Sequence, residues 1–482
     1  MSQFKRKILC VFLVLLILPA MTAGALTENE YDYILDRDNA DIRVPIPKAY
    51  VMTASYLNFG EEVGTLGDVQ DLFVDGEDNL YIVDSSNNRI IKCGRDGRVL
   101  RVFAGKGEAA MNKPEGMFVY SDGDIFVADT GNERILHIGP EGEFVEEFVK
   151  PESELLEANF IYNPRKVVVT NTGYIYSIKY QLLMQMDSSN EFRGYVGSIR
   201  VPFDITRFLI NLFGSEQQKS KLQKAMPAAY TNFVLGKDGL FYATTLDYTN
   251  GQIKKLTTTG SNIYPVQNFG EQVLNKAGWL EKPVFEDIAV DKNGIITVCE
   301  RLSARLFQYD QEGNLLAVWG GKGNNRDQLS QPRCVEVDST GRIYVYDNGR
   351  NEICVYEPTA FMELVHEAVT SYTVGAYDEA LENWTQVLGM SETYSLAQIG
   401  VGKTHFKRQE YEEAMEAFQI ANDKEQYSRA YDKYRYAVLQ KRFPILLCAA
   451  ALLAAAFFVG IHFLRKLSDR LERRFLRNRG RM

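Results

Sequence analysis

The feature of the sequence that most constrains its fold is a short pattern that recurs six times between residues 72 and 345. Each copy consists of an apolar strand, a turn built from Asp, Gly or Asn, and a second apolar strand. The copies occupy residues 72–83, 118–128, 167–177, 233–242, 288–297 and 335–345. Successive second strands begin 45 to 65 residues apart, which is the length of a four-stranded propeller blade. The repeat therefore predicts a mainly β protein built on a six-bladed β-propeller.

The turn after the second strand carries a further motif in the first two copies. Residues 84–90 and 129–135 read Asp-Ser-Ser-Asn-Asn-Arg-Ile and Asp-Thr-Gly-Asn-Glu-Arg-Ile, and a proline precedes several of the first strands. These motifs resemble the NHL repeat, and the resemblance covers about residues 50–357. It implies an NHL-like propeller that serves as an interaction platform. Blade six matches in part, whereas blades three to five have other residues at this turn: Lys179-Tyr180, Thr244-Thr245 and Cys299-Glu300-Arg301.

The sixth copy lacks a fourth strand of its own, because Glu357 and Pro358 follow directly after its third strand. Residues 50–60, ahead of the first copy, are similar to the fourth strands of other copies, such as residues 99–105. An unpaired sheet edge is unfavourable in a soluble domain. We therefore predict that residues 50–60 pair with the third strand of blade six and close the ring without a covalent link.

Residues 360–440 change to a helical period and resemble two tetratricopeptide (TPR) repeats. Aromatic and alanine positions recur at a spacing of 34 residues, which is the TPR period. The pairs are Tyr372 with Phe406, Tyr377 with Tyr411, Ala380 with Ala414, and Trp384 with Phe418. The resemblance implies an α-helical TPR-like stalk after the propeller, and TPR modules also commonly serve as interaction platforms.

Both ends of the chain indicate export and anchoring. Three cations at residues 5–7 precede an apolar run, and small residues follow at 23–25, which is typical of a cleaved signal peptide over residues 1–25. Residues 443–464 contain no Asp, Glu, Lys or Arg and are long enough for a transmembrane helix. Residues 465–482 form a basic tail, which the positive-inside rule places in the cytoplasm. We expect a single-pass protein of the cell membrane with its N-terminal domains on the extracytoplasmic side.

The charge of the chain bears on its partners. The formal net charge is −9 for the whole sequence and −18 for residues 26–464, once the basic ends are removed. Such an acidic body has no long-range attraction for phosphate backbones. We therefore expect no nucleic-acid partner.

An insertion at residues 203–225 lies between blades three and four. Its apolar residues recur at helical spacing and predict an amphipathic helix. Connections between blades share a face with the turns between second and third strands. The helix is therefore expected on the same face as Lys179, Tyr180, Tyr248 and Arg301. Tyrosine and arginine are side chains that often anchor interfaces. We predict that these four residues bind the ligand or partner. The helix either packs on its own propeller or serves as a lid, a partner contact or a membrane contact. The alternative to a binding site is that blades three to five lost the turn without gaining a function.

Catalytic chemistry finds little support in the sequence. Of the four histidines only His137 lies in the propeller, so no histidine cluster can form there. The acidic turn at residues 75–79 is interpreted as an ordinary hairpin rather than a metal loop, and no cofactor or metal is predicted. Asp84 with Arg89, and Asp129 with Arg134, are expected to stabilise their own turns. Four cysteines in the propeller are expected to be mostly free thiols.

The sequence therefore favours a membrane-anchored extracytoplasmic binding or scaffold protein rather than an enzyme. Its partner would be a protein or a glycan, and membrane-anchored combinations of these modules are similar to accessory components of assemblies such as transporters. The alternative is an exported propeller hydrolase or lyase with a metal bound by carboxylates.

Overall fold

A computed structural model describes residues 31–36, 42–61, 63–153, 156, 160–179, 181–196, 229–246, 251–275 and 277–479. The predicted signal peptide, the predicted helix at 203–225, Tyr180 and Tyr248 lie outside these residues.

The strands of the N-terminal part alternate buried and exposed side chains or are buried on both sides. In chain order they are β1 (Tyr33–Leu35), β2 (Arg43–Pro45), β3 (Tyr50–Tyr56), β4 (Val69–Val74), β5 (Leu80–Asp84), β6 (Arg89–Cys93), β7 (Val99–Phe103), β8 (Gly116–Val119), β9 (Ile125–Asp129), β10 (Arg134–Ile138), β11 (Phe144–Phe148), β12 (Pro164–Val169), β13 (Ile175–Lys179) and β14 (Leu182–Met186). The remaining strands are β15 (Phe192–Tyr195), β16 (Tyr230–Leu235), β17 (Phe241–Thr245), β18 (Ile253–Leu256), β19 (Val273–Leu274), β20 (Leu280–Glu281), β21 (Phe285–Val290), β22 (Ile296–Glu300), β23 (Arg305–Tyr309), β24 (Leu315–Gly320), β25 (Pro332–Val337), β26 (Ile343–Asp347) and β27 (Glu352–Pro358).

These strands form the six antiparallel blades that the repeat predicts. Blades one to three are β4–β7, β8–β11 and β12–β15, and blade four is β16–β18 within the described residues. Blade five contains β21–β24, and blade six consists of β25, β26, β27 and β3. The first strands contact one another in a closed circle, β4 to β8, β12, β16, β21, β25 and back to β4. The six-bladed β-propeller is therefore confirmed.

The core of the propeller lies between the blades rather than within one layer. Five apolar clusters each combine side chains from two neighbouring blades. One of them joins Leu72 and Ile82 of blade one to Tyr344 and Val355 of blade six. Each fully buried side chain of this kind contributes roughly 1.5–3 kcal/mol to folding. A blade is consequently stable only when both of its neighbours are in place.

The predicted ring closure is confirmed. Strand β3 pairs with β27 in antiparallel register from Tyr50 opposite Pro358 to Tyr56 opposite Ile353. The ring of Tyr50 is buried and stacks on Trp319 of blade five with 4.3 Å between the centroids. The pairing satisfies the edge of β27 that would otherwise be open.

A hairpin ahead of β3 was not predicted. Strands β1 and β2 pair with each other, and β1 adds to the outer edge of blade five, where Tyr33 lies opposite Val318. The Tyr33 hydroxyl donates a 2.7 Å hydrogen bond to Glu271, which also contacts Arg43 at 2.8 Å. These three-residue strands belong to no repeat, so their pattern is too short to predict them.

The closure leads to a test by truncation. A chain that begins at residue 47 loses the β1–β2 hairpin but keeps β3, so we expect its propeller to remain folded. A chain that begins at residue 61 loses β3, opens the β27 edge and gives up the burial of Tyr50, which alone stabilises by about 1.5–3 kcal/mol. We expect it to unfold, as measured by thermal melting against a chain that begins at residue 26. Equal melting of the chains that begin at 26 and 61 would contradict the closure.

The C-terminal part consists of five helices: α1 (Ala360–Val374), α2 (Tyr377–Met390), α3 (Ser395–Lys407), α4 (Tyr411–Ile420) and α5 (Lys424–Arg479). Residues up to Thr370, together with Gln386–Tyr394, belong to the compact unit of the propeller. Within that unit His366 of α1 is half-buried, and its Nε2 lies 2.7 Å from the Gln308 Oε1 of blade five. Burial lowers the pKa of His366 to about 4, so the ring is neutral at physiological pH.

The second unit contains residues 371–385 and 395–482. Two glycines of α3 let large aromatic rings approach the helix backbone. A Cβ at Gly400 would meet the Trp384 ring at 2.4 Å, and one at Gly402 would meet the Phe418 ring at 2.6 Å. Helix α5 runs through the apolar residues 443–464 and is long and apolar enough to cross a membrane.

Candidate functional site

Equivalent positions near the start of each first strand meet around the axis of the propeller. The strand pairing aligns Asp71, Gly116, Lys166, Asn232, Asp287 and Cys334 from blades one to six. In five blades, all but blade two, a β-bulge lies immediately before this position. Such bulges re-aim side chains. In blade two only glycine fits, because a Cβ at Gly116 would lie 2.5 Å from the Arg165 carbonyl oxygen.

Lys166 and Asp71 form a buried ion pair across the axis. Lys166 Nζ lies 2.6 and 2.8 Å from the two carboxylate oxygens of Asp71, and the side chains are 8% and 1% exposed. The Met117 N–H donates a further 3.0 Å hydrogen bond to Asp71. Burial favours the neutral lysine, but attraction to the Asp71 and Asp287 carboxylates outweighs it and raises the pKa of Lys166. Lys166 is therefore charged.

Two more carboxyl groups lie close to this pair. Asp287 accepts hydrogen bonds from the Asn232 side chain and, at 2.8 Å, from the Val335 N–H. Burial raises the pKa of Asp287 to about 7, although Lys166 opposes the shift. Burial likewise raises the pKa of Glu336 to about 8. One buried lysine thus lies among three carboxyl groups, and burial raises the pKa of the two that are outside the ion pair.

A cavity of about 270 Å³ lies beside this cluster and is lined in part by the hairpins between first and second strands. We call the face of these hairpins the hairpin face. Lys166 and Glu336 line the cavity, and the hairpins add further charged side chains. Part of its wall is apolar, with Phe73 and Phe118 in edge-to-face contact at 5.6 Å. A second cavity of about 660 Å³ adjoins it, because both are lined by Phe118 and Leu235. Apolar walls with a few polar groups are typical of small-molecule sites.

The NHL-like turns have a structural role, as predicted. Arg89 Nε lies 2.8 Å from Asp84, and Arg134 Nε lies 2.9 Å from Asp129. Asp84 also accepts a 2.9 Å hydrogen bond from the Gly67 N–H in the segment that enters the blade. The expectation that these ion pairs stabilise their own turns is confirmed.

Blade five keeps this arrangement with a different acid. The Glu300 carboxylate accepts backbone N–H groups of Val284 at 2.9 Å and Ser303 at 2.6 Å. It occupies the position that Asp84 occupies in blade one, since each pairs with the first residue of its blade's first strand. Blade five therefore departs from the motif in sequence but retains the carboxylate contact to the entering segment.

Two of the four predicted binding residues lie within the described part of the chain. Lys179 ends β13 in blade three and is buried, with its Nζ 3.6 Å from the centroid of the Phe160 ring. Arg301 follows β22 in blade five, is exposed, and contacts Glu286 at 3.1 Å. Tyr180 and Tyr248 lie outside the described residues. The four residues therefore remain a prediction as a site.

Sequence reasoning missed the axial cluster and one exposed aromatic. Lys166 and Asp71 are 95 positions apart in the sequence. They occupy equivalent positions only when the six repeats are aligned from the residue that precedes the apolar part of each first strand. Trp279 lies between β19 and β20 and is 71% exposed. An exposed Trp in a short connection is a common interface anchor.

The described part of the chain contains no cluster of side chains suited to metal binding or to histidine-dependent catalysis. No group of three or more His, Cys, Asp or Glu side chains there could hold a metal ion. The His137 ring stacks on Phe126 at 4.1 Å and contacts Asp124 at 2.9 Å and Glu146 at 3.0 Å. The described propeller cysteines, Cys93, Cys299, Cys334 and Cys354, are free and buried, as expected.

Fold and cavities together define a six-bladed β-propeller with a charged axial cluster and two adjoining cavities on its hairpin face. No family model and no curated protein matches the sequence. Among solved structures the chain is similar to a streptogramin B lyase, with 14% identity over 64% of this chain and 98% of that one and a TM-score of 0.40. Virginiamycin B lyase from Staphylococcus aureus matches at 13% identity over 64% of this chain and 89% of that one, with a TM-score of 0.39. The WD40 β-propeller domain of Doa1 matches at 14% identity, covering 64% and 98%, with a TM-score of 0.38.

The axial cluster predicts a pH dependence of stability. The pKa of Glu336 rises from 4.5 to about 8 on folding, so the folded state binds this proton more tightly than the unfolded state. The resulting stabilisation is fully present below pH 4.5 and is lost as the pH rises through about 8. Glu336→Gln should therefore reduce the fall in melting temperature between pH 5 and pH 9. Glu108→Gln, at an exposed glutamate, should leave that fall unchanged, and equal pH profiles for all three proteins would contradict the assignment.

Proposed function

We propose that the chain is a membrane-anchored binding or scaffold protein. Its NHL-like propeller and two TPR-like helix pairs face the extracytoplasmic side and present surfaces to a protein or glycan partner. Residues 443–464 form the single membrane span and residues 465–482 the cytoplasmic tail. By analogy with other membrane-anchored combinations of these modules, the protein would be an accessory part of a membrane assembly such as a transporter.

The observation that carries this proposal is the pair of adjoining cavities on the hairpin face. Both are lined in part by aromatic and apolar side chains, and Lys166, which lines the first, is paired with Asp71. The ion pair of Lys166 and Asp71 fixes the geometry of the first cavity, because each charge is held by its partner. A preformed pocket with aromatic and apolar walls is suited to binding a ligand.

We further propose that a partner contacts the opposite face, where the connections between blades lie. The residues predicted there are Lys179, Tyr180, Tyr248 and Arg301. Arg301 is exposed, and Trp279, in the connection between blades four and five, adds a large apolar side chain. Arg, Tyr and Trp are the residues that most often dominate interface energies. Because Lys179 is buried, its role would be to support this surface rather than to contact the partner directly.

The topology is tested by protease treatment of intact cells that carry an epitope tag at residue 482. The eight cations of residues 465–482 should keep the tail inside, so the tag should survive while residues 26–440 are cleaved. Detergent-permeabilised cells serve as the control, in which the tag should also be lost. Loss of the tag from intact cells would contradict the topology.

Partner binding is tested by affinity capture of the full-length protein from solubilised membranes, with quantitative mass spectrometry of the captured proteins. Replacing Tyr180, Tyr248 and Arg301 together by Ala should reduce capture of the specific partner by at least about tenfold. The matched control replaces Tyr120, Tyr174 and Lys237 by Ala on the hairpin face. Both variants should melt like the wild type. Loss of capture only in the control variant would assign the partner to the hairpin face and overturn the predicted site.

A further inference from the structure

The hairpins between first and second strands differ around the ring at the position where the turn begins. In blades one, five and six this position is aspartate: Asp75, Asp291 and Asp338. Its carboxylate accepts backbone N–H groups of its own turn, as Asp75 does from Glu77 and Asn79 at 2.9 Å each. Blades two, three and four have Tyr120, Thr170 and Gly236 at the same position. This half of the hairpin face therefore lacks the carboxylates that the position contributes elsewhere.

The second cavity, of about 660 Å³, lies over this half of the hairpin face. Among the described residues that line it, Lys237 is the one charged side chain. The rest of the lining combines aromatic rings with neutral groups that both donate and accept hydrogen bonds. The rings include Tyr120, Tyr174 and Tyr176, and the neutral polar groups include Asn171, Thr172 and Gln185.

The polar contacts hold part of this lining in place before any ligand arrives. Gln185 Nε2 donates a 3.0 Å hydrogen bond to the buried Tyr176 hydroxyl. The hydroxyls of Thr170 and Thr172 lie 3.0 Å apart, and Thr170 also donates to the Tyr174 carbonyl oxygen at 3.2 Å. Tyr174 itself remains 37% exposed. An accessible ring thus lies beside fixed side chains whose hydrogen-bonding groups face the same cavity.

This combination matches the surface of a sugar. A pyranose has a face of C–H groups and a rim of hydroxyls. Aromatic faces carry negative partial charge and attract the weakly positive C–H groups. Amide and hydroxyl side chains can serve each sugar hydroxyl as donor and as acceptor. A strongly charged ligand would need more than one lysine, and a purely apolar ligand would leave the polar groups unsatisfied.

An extended peptide fits the cavity less well. Peptides are commonly recognised by adding a strand to one continuous sheet edge, where main-chain groups supply the hydrogen bonds. This cavity is instead lined by side chains from blades two, three and four. Resting on the binding function proposed above, we infer that the cavity between these hairpins binds a neutral oligosaccharide.

The test uses the purified full-length protein in a detergent without a sugar head group, because a glycoside detergent would compete for the site. The probe is an array of neutral, sialylated and sulfated glycans, followed by calorimetric titration of the best neutral ligand. We expect binding to neutral glycans that changes little between 50 mM and 500 mM salt, since no charge pair carries it. The absence of binding to every neutral glycan, or a requirement for sialic acid or sulfate, would overturn the inference.

Three substitutions test whether the sugar binds in the cavity. Tyr174→Ala should weaken binding by at least about tenfold because the accessible ring is lost. Tyr174→Phe retains the ring and should stay within about threefold of the wild type. Tyr31→Ala removes an exposed aromatic ring ahead of β1, outside the cavity, and should have no effect, and all variants should melt like the wild type. Equal affinities of the wild type and Tyr174→Ala would show that the sugar binds elsewhere and would overturn the site.

The two proposals fail separately. If neutral-glycan binding is lost in Tyr174→Ala but no partner is captured, the glycan site is supported and the scaffold role is contradicted. Capture without any glycan binding would do the reverse. Binding of an array of extended peptides that is lost in Tyr174→Ala, with no glycan bound, would reassign the cavity to a peptide.

Discussion

The antiparallel pairing of β3 with β27 is the constraint on which the rest of the propeller depends. Each blade buries one face against each neighbour, so an open ring would expose two apolar faces at once. The described propeller cysteines are free thiols, and six residue pairs of this ladder hold the last blade to the first segment of the ring. The closure also extends outward, because the Tyr50 hydroxyl accepts a hydrogen bond from Gln308, which in turn contacts His366 of α1. Helix α1 is thereby coupled to the same junction.

The axial cluster adds specificity to a core that is otherwise apolar. A buried ion pair adds little net stability, because removing both charges from water costs nearly as much as their attraction returns. It does penalise wrong arrangements, since a shifted blade would leave Lys166 or Asp71 buried without its partner. The six first strands are similar in sequence and could pack in several orders. A lysine in blade three that must meet an aspartate in blade one distinguishes the correct order from the others.

Much of the architecture could be predicted, because the repeat, the missing fourth strand and the change to a helical period are local patterns. The axial cluster could not, because its members are far apart in sequence and each looks like an ordinary polar residue at a strand start. Glu300 shows a second limit: its carboxylate takes the place of the NHL-like aspartate through a longer side chain, so a motif comparison counts blade five as irregular. The hairpin of β1 and β2 shows a third, since strands of three residues have no readable period. The four predicted binding residues stay a prediction, with Lys179 buried and Arg301 exposed.

The position of β3 has a consequence for folding during synthesis. The strand is made before any blade, yet its partner β27 ends at residue 358, about 300 positions later. During synthesis β3 therefore remains unpaired until five blades and most of the sixth have left the ribosome. The final docking step has a large loop-closure cost and joins the most distant parts of the domain, which makes it slow. An incomplete chain offers an open edge at both ends, and the strand of one molecule can fill the gap of another. We therefore expect domain-swapped oligomers when many incomplete chains are synthesised close together.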